Sequence, residues 1–196
     1  MQTLRTCWFL LPALLLGGCA SVAPFKGIAL DDESVYVSGV PPIKQDKLYA
    51  CGSACVAAVA GYWGVTPAEF RAKHPAKPED LTGRDLEVMA TALGLQAFAY
   101  RGSMEDLQEN LRQGRPLIVM IPQPLLSGGD LASALLINTW NQWGPKPAHW
   151  VVVVGITKNK AVLLHDPASG PMVVTPEAFQ AWWAKKDNLT VLLAAR

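Results

Sequence analysis

The apolar run at residues 149–156 constrains the fold more than any other part of the chain. It has the sequence His-Trp-Val-Val-Val-Val-Gly-Ile, and such a density of β-branched side chains predicts a buried strand rather than a helix. A short polar stretch separates it from a second apolar run at 161–166. Because two strands joined by a short turn pair antiparallel, we expect a hairpin that brings Asp166 close to His149.

Helices are predicted mainly before this hairpin and strands mainly around and after it. Thr66, Thr82 and Ser103 each stand three positions before an acidic residue, which is the pattern of a capping box at a helix start. A further helix is predicted over 175–185, and further strands at 117–121, 171–174 and 189–193. The sequence therefore predicts an α+β fold, with helices packed on a mainly antiparallel sheet and a cleft between the two layers.

Cys51 is predicted to lie in the first turn of a helix that ends at Gly64, with Asp46 or a nearby loop residue as its cap. The unpaired N–H groups of a helix N-terminus carry partial positive charge, which stabilises a thiolate. Cys55 lies one turn further into the same alanine-rich helix and is expected in the core. A disulfide between the two is not expected, because an i,i+4 pair has poorly directed Cβ vectors.

Four residues form the candidate catalytic set. Cys51 supplies a nucleophile, His149 a base, and Asp166 a carboxylate that fixes the imidazole tautomer. The side-chain amide of Gln45 is expected to join the Cys51 backbone N–H in stabilising an oxyanion. A zinc site built from Cys51, Cys55, His149 and Asp166 is the alternative, but a lone Cys-x-x-x-Cys lacks the usual second ligand pair. No metal and no other cofactor is expected.

The remaining histidines and two tryptophans are interpreted as structural. His165 should point to the sheet face opposite Asp166. His74 lies in a proline-broken loop and is expected to be solvated. Trp150 and Trp182 are expected in the core.

These residues carry a family resemblance over about 42–193. The matching segments are Gln45 six positions before Cys51-Gly-Ser-Ala-Cys55, then Tyr62-Trp-Gly64, Ala92-Leu-Gly-Leu95, the apolar 116–119, His149 before its valines, Asp166-Pro-Ala-Ser-Gly170, and Phe179 and Trp182. In order and spacing the chain resembles the bacteriocin-processing, double-glycine leader cysteine peptidases, a papain-like family often fused to peptide exporters.

The resemblance implies a papain-like cysteine peptidase with Cys51 as nucleophile, His149 as general base and acid, Asp166 as orienting carboxylate and Gln45 as oxyanion donor. It implies a peptide or protein substrate with small residues near the cut, such as a double-glycine leader. Two alternatives keep the same fold. One is a peptidoglycan peptidase, since murein hydrolases share the papain-like layout, and the other is a non-catalytic binding or assembly lipoprotein.

Two features depart from that family. The connection at 122–148 looks longer than the family's usual one, and its Trp140 and Trp143 are candidates for contacting substrate. Only three residues follow the peptidase-like region, so we expect any exporter to be a separate protein.

The N-terminus predicts a lipoprotein signal at residues 1–18. Arg5 precedes a short apolar core, and Leu16-Gly-Gly-Cys19 resembles a lipobox. Cys19 would then carry the lipid after cleavage, residues 19–41 would form a tether, and 42–196 the peptidase domain. The expected location is the bacterial cell envelope, on the periplasmic face of the outer membrane.

Composition excludes one further class of partner. Charged residues make up 17% of the chain and the formal net charge is +1, so the basic patch that nucleic-acid binding requires is lacking. The length left after the signal suits a single domain.

Overall fold

The structure is a computed structural model that describes residues 25, 28, 30–47, 49–75, 80–122 and 148–195. Its strands are β1 (Val35–Tyr36), β2 (Gln96–Arg101), β3 (Leu117–Pro122), β4 (Ala148–Ile156), β5 (Val162–Asp166), β6 (Gly170–Val174) and β7 (Leu189–Ala194). Its helices are α1 (Cys51–Tyr62), α2 (Pro67–Lys73), α3 (Gly83–Ala92), α4 (Met104–Arg112) and α5 (Pro176–Ala184).

The strands form one antiparallel sheet in the order β2-β7-β3-β4-β5-β6, with β1 paired to β4. The expected α+β fold is thus confirmed, with α1 packed on β4, and α3 on β2 and β7. Among the described residues, no helix is both long and apolar enough to cross a lipid bilayer.

The predicted hairpin lies at the centre of this sheet. In its β4 strand, every residue after Ala148 is buried, and all of β5 is buried as well. Such a strand is covered on both faces, which explains why its sequence is a continuous apolar run without alternation. On the other side of β4, Ile121 of β3 pairs with His149, so the histidine is held between two neighbouring strands.

The helix caps agree with those predicted from the sequence, with one partial exception. Thr66 and Thr82 each form both bonds of a capping box. Ser103 accepts the Asp106 N–H, but the Asp106 carboxylate instead accepts the Tyr100 hydroxyl at 2.6 Å and the Asn110 amide at 3.1 Å. A nearer phenol thus replaces the second bond of the predicted box.

The end of the predicted tether belongs to the folded body. Val35 and Tyr36 pair with the end of β4, and the Val37 N–H donates to the Val154 carbonyl at 2.8 Å. Val37 and Val40 are buried. The sequence places the tether boundary at 41 because this stretch has no clear periodicity, whereas the structure shows that packing against β4 begins several residues earlier.

Three other predictions about elements and side chains need correction. Strand β2, between α3 and α4, was not among the predicted strands. Trp183 is 2% exposed and belongs to the core, while the predicted Trp182 is only partly buried. His74 is not solvated: its Nε2 lies 3.1 Å from the Met89 carbonyl oxygen and its ring packs on Phe70.

Candidate active site

Helix α1 presents Cys51 as its first residue. The N-cap position is occupied by a nearby loop residue, Ala50, and not by Asp46, and Ala50 forms no side-chain cap hydrogen bond. The Ser53 hydroxyl turns back to the Ala50 carbonyl at 3.0 Å and leaves the first amides alone. The backbone N–H of Gly52, the second residue of the helix, is hydrogen-bonded to the Cys51 side chain, so the partial positive charge of the helix N-terminus acts on the sulfur.

His149 and Asp166 meet as the hairpin predicts. The Nε2–H of His149 donates to Asp166 Oδ1 at 2.7 Å, and the two residues are 1% and 3% exposed. The same Asp166 oxygen accepts the Ala168 N–H at 2.7 Å. The carboxylate therefore has two roles: it fixes the turn after β5 and it orients the imidazole.

The His149 side chain also interacts with the Cys51 side chain, and this contact affects the pKa of both groups. Burial by itself raises the pKa of the Cys51 thiol, but the His149 ring and the backbone N–H groups of Trp150 and Gly52 outweigh it, so that this pKa is lowered. The donor from Trp150 is a contribution that the sequence analysis missed. A backbone amide carries no residue-type signal by which it could have been found.

The pKa of the His149 imidazole is shifted in the opposite direction, upwards. Burial lowers the pKa of His149, but the hydrogen bonds and charges of Asp166 and Cys51 raise it to about 9. Burial also raises the pKa of Asp166, and the His149 ring and the Ala168 N–H more than offset this, so that its pKa is lowered. Near neutral pH the arrangement favours a thiolate, an imidazolium and a carboxylate in a row.

Gln45 lies on the irregular segment that precedes the helix. Its N–H donates to the Pro167 carbonyl at 2.9 Å, which ties it to the residue after Asp166. Its side-chain Oε1 is buried, and the structure gives that oxygen no hydrogen-bond partner within the described chain. A buried amide oxygen without a partner is unfavourable, and such groups concentrate at functional sites.

Cys55 lies one turn further along α1 and differs from Cys51 in the direction in which its pKa is shifted. It is fully buried, as expected for a core residue, and both thiols are free. Burial, together with the nearby charges of Cys51 and Asp166, raises the pKa of Cys55 well above its ordinary value. The two cysteines of the segment are therefore chemically distinct.

The remaining candidates divide into those placed elsewhere and those outside the described residues. His165 packs against Phe25 with ring centroids 5.6 Å apart, away from Cys51. Trp140, Trp143, the rest of 123–147 and Cys19 lie outside the described residues. In the part of the chain that is described, no three histidine, cysteine or acidic side chains are disposed to hold a metal ion. Since Asp166 engages Nε2 of His149, that nitrogen is not free to be a ligand.

A depression beside Cys51 has a volume of about 330 Å³. It is lined mostly by apolar side chains from the ends of three strands and from the loop before α3, among them Tyr49, Leu81, Met120, Trp150 and Leu189. A larger apolar groove of about 620 Å³ follows the outer face of α1 towards α2 and includes Gln45.

A cysteine at a helix N-terminus, facing a histidine and an acid on an antiparallel sheet, defines the papain-like cysteine peptidase fold. Within that class, the chain belongs to the Peptidase_C39 like family, which it matches over residues 37–191. No curated protein sequence matches it.

The solved structures that share this fold include three peptidases. A double glycine motif protease from an AMS/PCAT transporter, solved with its leader peptide, is 21% identical, with a TM-score of 0.58 and coverage of 83% of this chain and 95% of that one. The peptidase domain of Streptococcus ComA, a bifunctional ABC transporter, is 22% identical, with a TM-score of 0.57 and coverage of 79% and 97%. A putative C39-like peptidase from Bacillus anthracis is 18% identical, with a TM-score of 0.61 and coverage of 84% and 99%.

Proposed function

We propose that the protein is a cysteine endopeptidase that processes an exported peptide or protein. The observation that carries this proposal is the position of His149, which is hydrogen-bonded to Asp166 at 2.7 Å and interacts with the Cys51 side chain. A thiol paired with an oriented imidazole at a helix N-terminus is the arrangement that nucleophilic catalysis requires.

Each group has a definite step in such a reaction. The Cys51 thiolate attacks the scissile carbonyl carbon, and the resulting oxyanion accepts hydrogen bonds from the Cys51 N–H and the Gln45 side-chain amide. The His149 imidazolium gives its proton to the leaving amine as the C–N bond breaks, which leaves a thioester on Cys51. Neutral His149 then takes a proton from water, and the hydroxide oxygen attacks the thioester and releases the acid product. Asp166 keeps the ring oriented throughout.

Support for a peptide substrate comes from the structural neighbours. One of them was solved with a leader peptide and acts on a double glycine motif, and another belongs to a transporter. The paired-glycine leader is therefore the reference substrate for this chain. The exporter that delivers such a peptide would be a separate protein.

The lipobox-like segment at Cys19 supports anchoring of the enzyme to the cell envelope, on the periplasmic face of the outer membrane. If Cys19 carries the lipid, Cys19→Ser should move the protein from the membrane fraction to the soluble fraction of the envelope. The measurement is fractionation followed by mass determination of the N-terminal peptide. Unchanged membrane association of Cys19→Ser would reject the anchor and leave the peptidase proposal standing.

The two cysteines provide a matched test of the activity. Peptides and proteins released by cells with Cys51→Ala, Cys55→Ala and the unaltered chain are compared by mass spectrometry. We expect Cys51→Ala to abolish one processing event and Cys55→Ala to retain it, because only Cys51 faces the imidazole. Loss in Cys55→Ala alone would overturn the assignment. Accumulation of uncut cell-wall peptides would instead favour a peptidoglycan substrate, and no difference in any product would favour a binding lipoprotein.

A further inference from the structure

The depression beside Cys51 has walls that are held in place by the fold. The Trp150 indole Nε1–H donates to the Leu81 carbonyl at 2.8 Å. This bond fixes the ring between β4 and the loop before α3. Gly52 permits this approach, because a Cβ at that position would lie 3.1 Å from the Trp150 ring and 3.2 Å from Leu81. The indole therefore forms a wall and cannot swing out to fill the space.

The opposite walls are equally constrained. Met120 of β3 is the antiparallel partner of Trp150, and Leu189 opens β7 at the other side. At the mouth, Tyr49 and Asp80 adopt left-handed backbone conformations with φ of 66° and 52°. Non-glycine residues are held in this region only when their surroundings determine it, often beside functional sites.

We propose that this depression is a specificity pocket for an apolar side chain of leucine or methionine size within two residues of the scissile bond. This inference rests on the proposed peptidase function and adds the substrate class. Cys51 is itself one of the lining residues, so a peptide attacked by its sulfur passes the pocket mouth. The volume of about 330 Å³ lies at the lower end of the range for ligand pockets.

A pair of glycines before the cut, followed by small residues, would leave this pocket empty. Burying an apolar side chain of leucine size is favourable, and the gain corresponds to about tenfold to hundredfold in selectivity. The substrates of this chain are therefore distinguished from a bare double-glycine motif by one apolar residue beside the cut. Met120, Leu189 and Trp150 determine that preference.

The test uses the purified protein and a set of internally quenched peptides. The parent peptide has glycine at both positions before the cut and small residues after it. Four derivatives place leucine singly at the second and first positions before the cut and at the first and second positions after it. We expect leucine at one of these positions to raise kcat/KM by about tenfold to hundredfold over the parent.

Two variants fill the pocket from different walls. Met120→Phe and Leu189→Phe should each lower kcat/KM for the preferred leucine derivative more than for the parent peptide, and so remove the leucine preference. Val88→Phe is the matched control, because Val88 is an exposed side chain of α3, 55% accessible and outside the pocket. Alkylation of Cys51 by iodoacetamide, measured in every variant, reports whether the fold and the nucleophile are intact.

The outcomes separate this inference from the proposed function. If the parent is cleaved as fast as every leucine derivative, or if both filled variants keep the preference, the pocket proposal is wrong and the peptidase proposal stands. If no peptide is cleaved although Cys51 is alkylated rapidly, the peptidase proposal fails and the pocket proposal fails with it.

Discussion

The charge on Cys51 depends on a row of three side chains. Asp166 alone orients His149 but does not touch the sulfur, and His149 alone, buried at 1% exposure, would resist protonation because burial disfavours the charged imidazole. Together the two residues keep the ring protonated beside the thiolate. The row therefore acts as a unit, and each member is expected to change the titration of the others.

Asp166→Asn tests that coupling. An asparagine oxygen at the same position can still accept the bonds from His149 and Ala168, but the negative charge is lost. The pKa of His149, raised to about 9 in the native protein, should fall, so the imidazolium should be lost at lower pH. We expect kcat/KM for peptide cleavage to decrease and its alkaline limb to shift to lower pH. Asp187→Asn, at an exposed site, is the control and should leave the alkaline limb in place.

The burial of His165 predicts that the fold loses stability in acid, independently of catalysis. Its two ring nitrogens have no hydrogen-bond partner among the described residues, and burial lowers its pKa from 6.5 to about 4. Below pH 6.5 the unfolded chain binds a proton that the folded chain refuses, so the free energy of unfolding should fall as the pH drops towards 4.

His165→Leu should therefore lose less stability than the native protein between pH 7.5 and pH 5, measured by denaturant midpoints. His74→Gln is the matched histidine control. Equal losses in His165→Leu and the native protein would show that His165 does not resist protonation in the fold.

At the scale of elements, the site depends on where α1 begins and where β4 and β5 end. Helix α1 starts at Cys51 without a capping side chain, β4 delivers His149 next to its first residue, and β5 ends at Asp166. Each chemical group thus lies at the terminus of a regular element, where backbone amides are free to act on it.

The pairing of β1 with β4 provides a test of how the N-terminal segment is held. A Cβ at Gly155 would lie only 2.7 Å from the Val35 carbonyl oxygen, so Gly155→Ala should displace β1 and destabilise the fold by about 1–3 kcal/mol. Hydrogen exchange should show lost protection at the Val37 amide, which donates to Val154 in the native fold. Retained protection at Val37 would contradict the predicted displacement of β1, and Val88→Ala serves as the surface control.

The element pattern was predictable where local signals are strong. The valine run defines β4 and threonine caps define α2 and α3, because hydrophobic density and capping act over a few residues. Strand β1 was missed because two residues carry no periodicity and pair only through a long-range contact. Strand β2 was missed because none of its side chains is fully buried, so it lacks the apolar pattern of a core strand.

At the scale of the whole molecule, the order of the residues along the chain predicted which groups would meet. Cys51, His149 and Asp166 come together although nearly a hundred residues separate the cysteine from the histidine. The hairpin predicted the contact between His149 and Asp166, whereas only the family resemblance predicted that Cys51 would join them. The pocket walled by Leu81, Trp150 and Leu189 was not predictable, since it depends on how three distant segments pack around Cys51.

The central claim is that Cys51 is ionised because His149 reaches it across the cleft. The direct measurement is the rate of Cys51 alkylation by iodoacetamide as a function of pH, by mass spectrometry, in the native protein and in His149→Ala. We predict that the native rate rises at a pH below the ordinary thiol value of 9.0, that Cys55 reacts far more slowly, and that the His149→Ala profile moves to higher pH. Superimposable profiles for the two proteins, or equal alkylation of Cys51 and Cys55, would contradict the account.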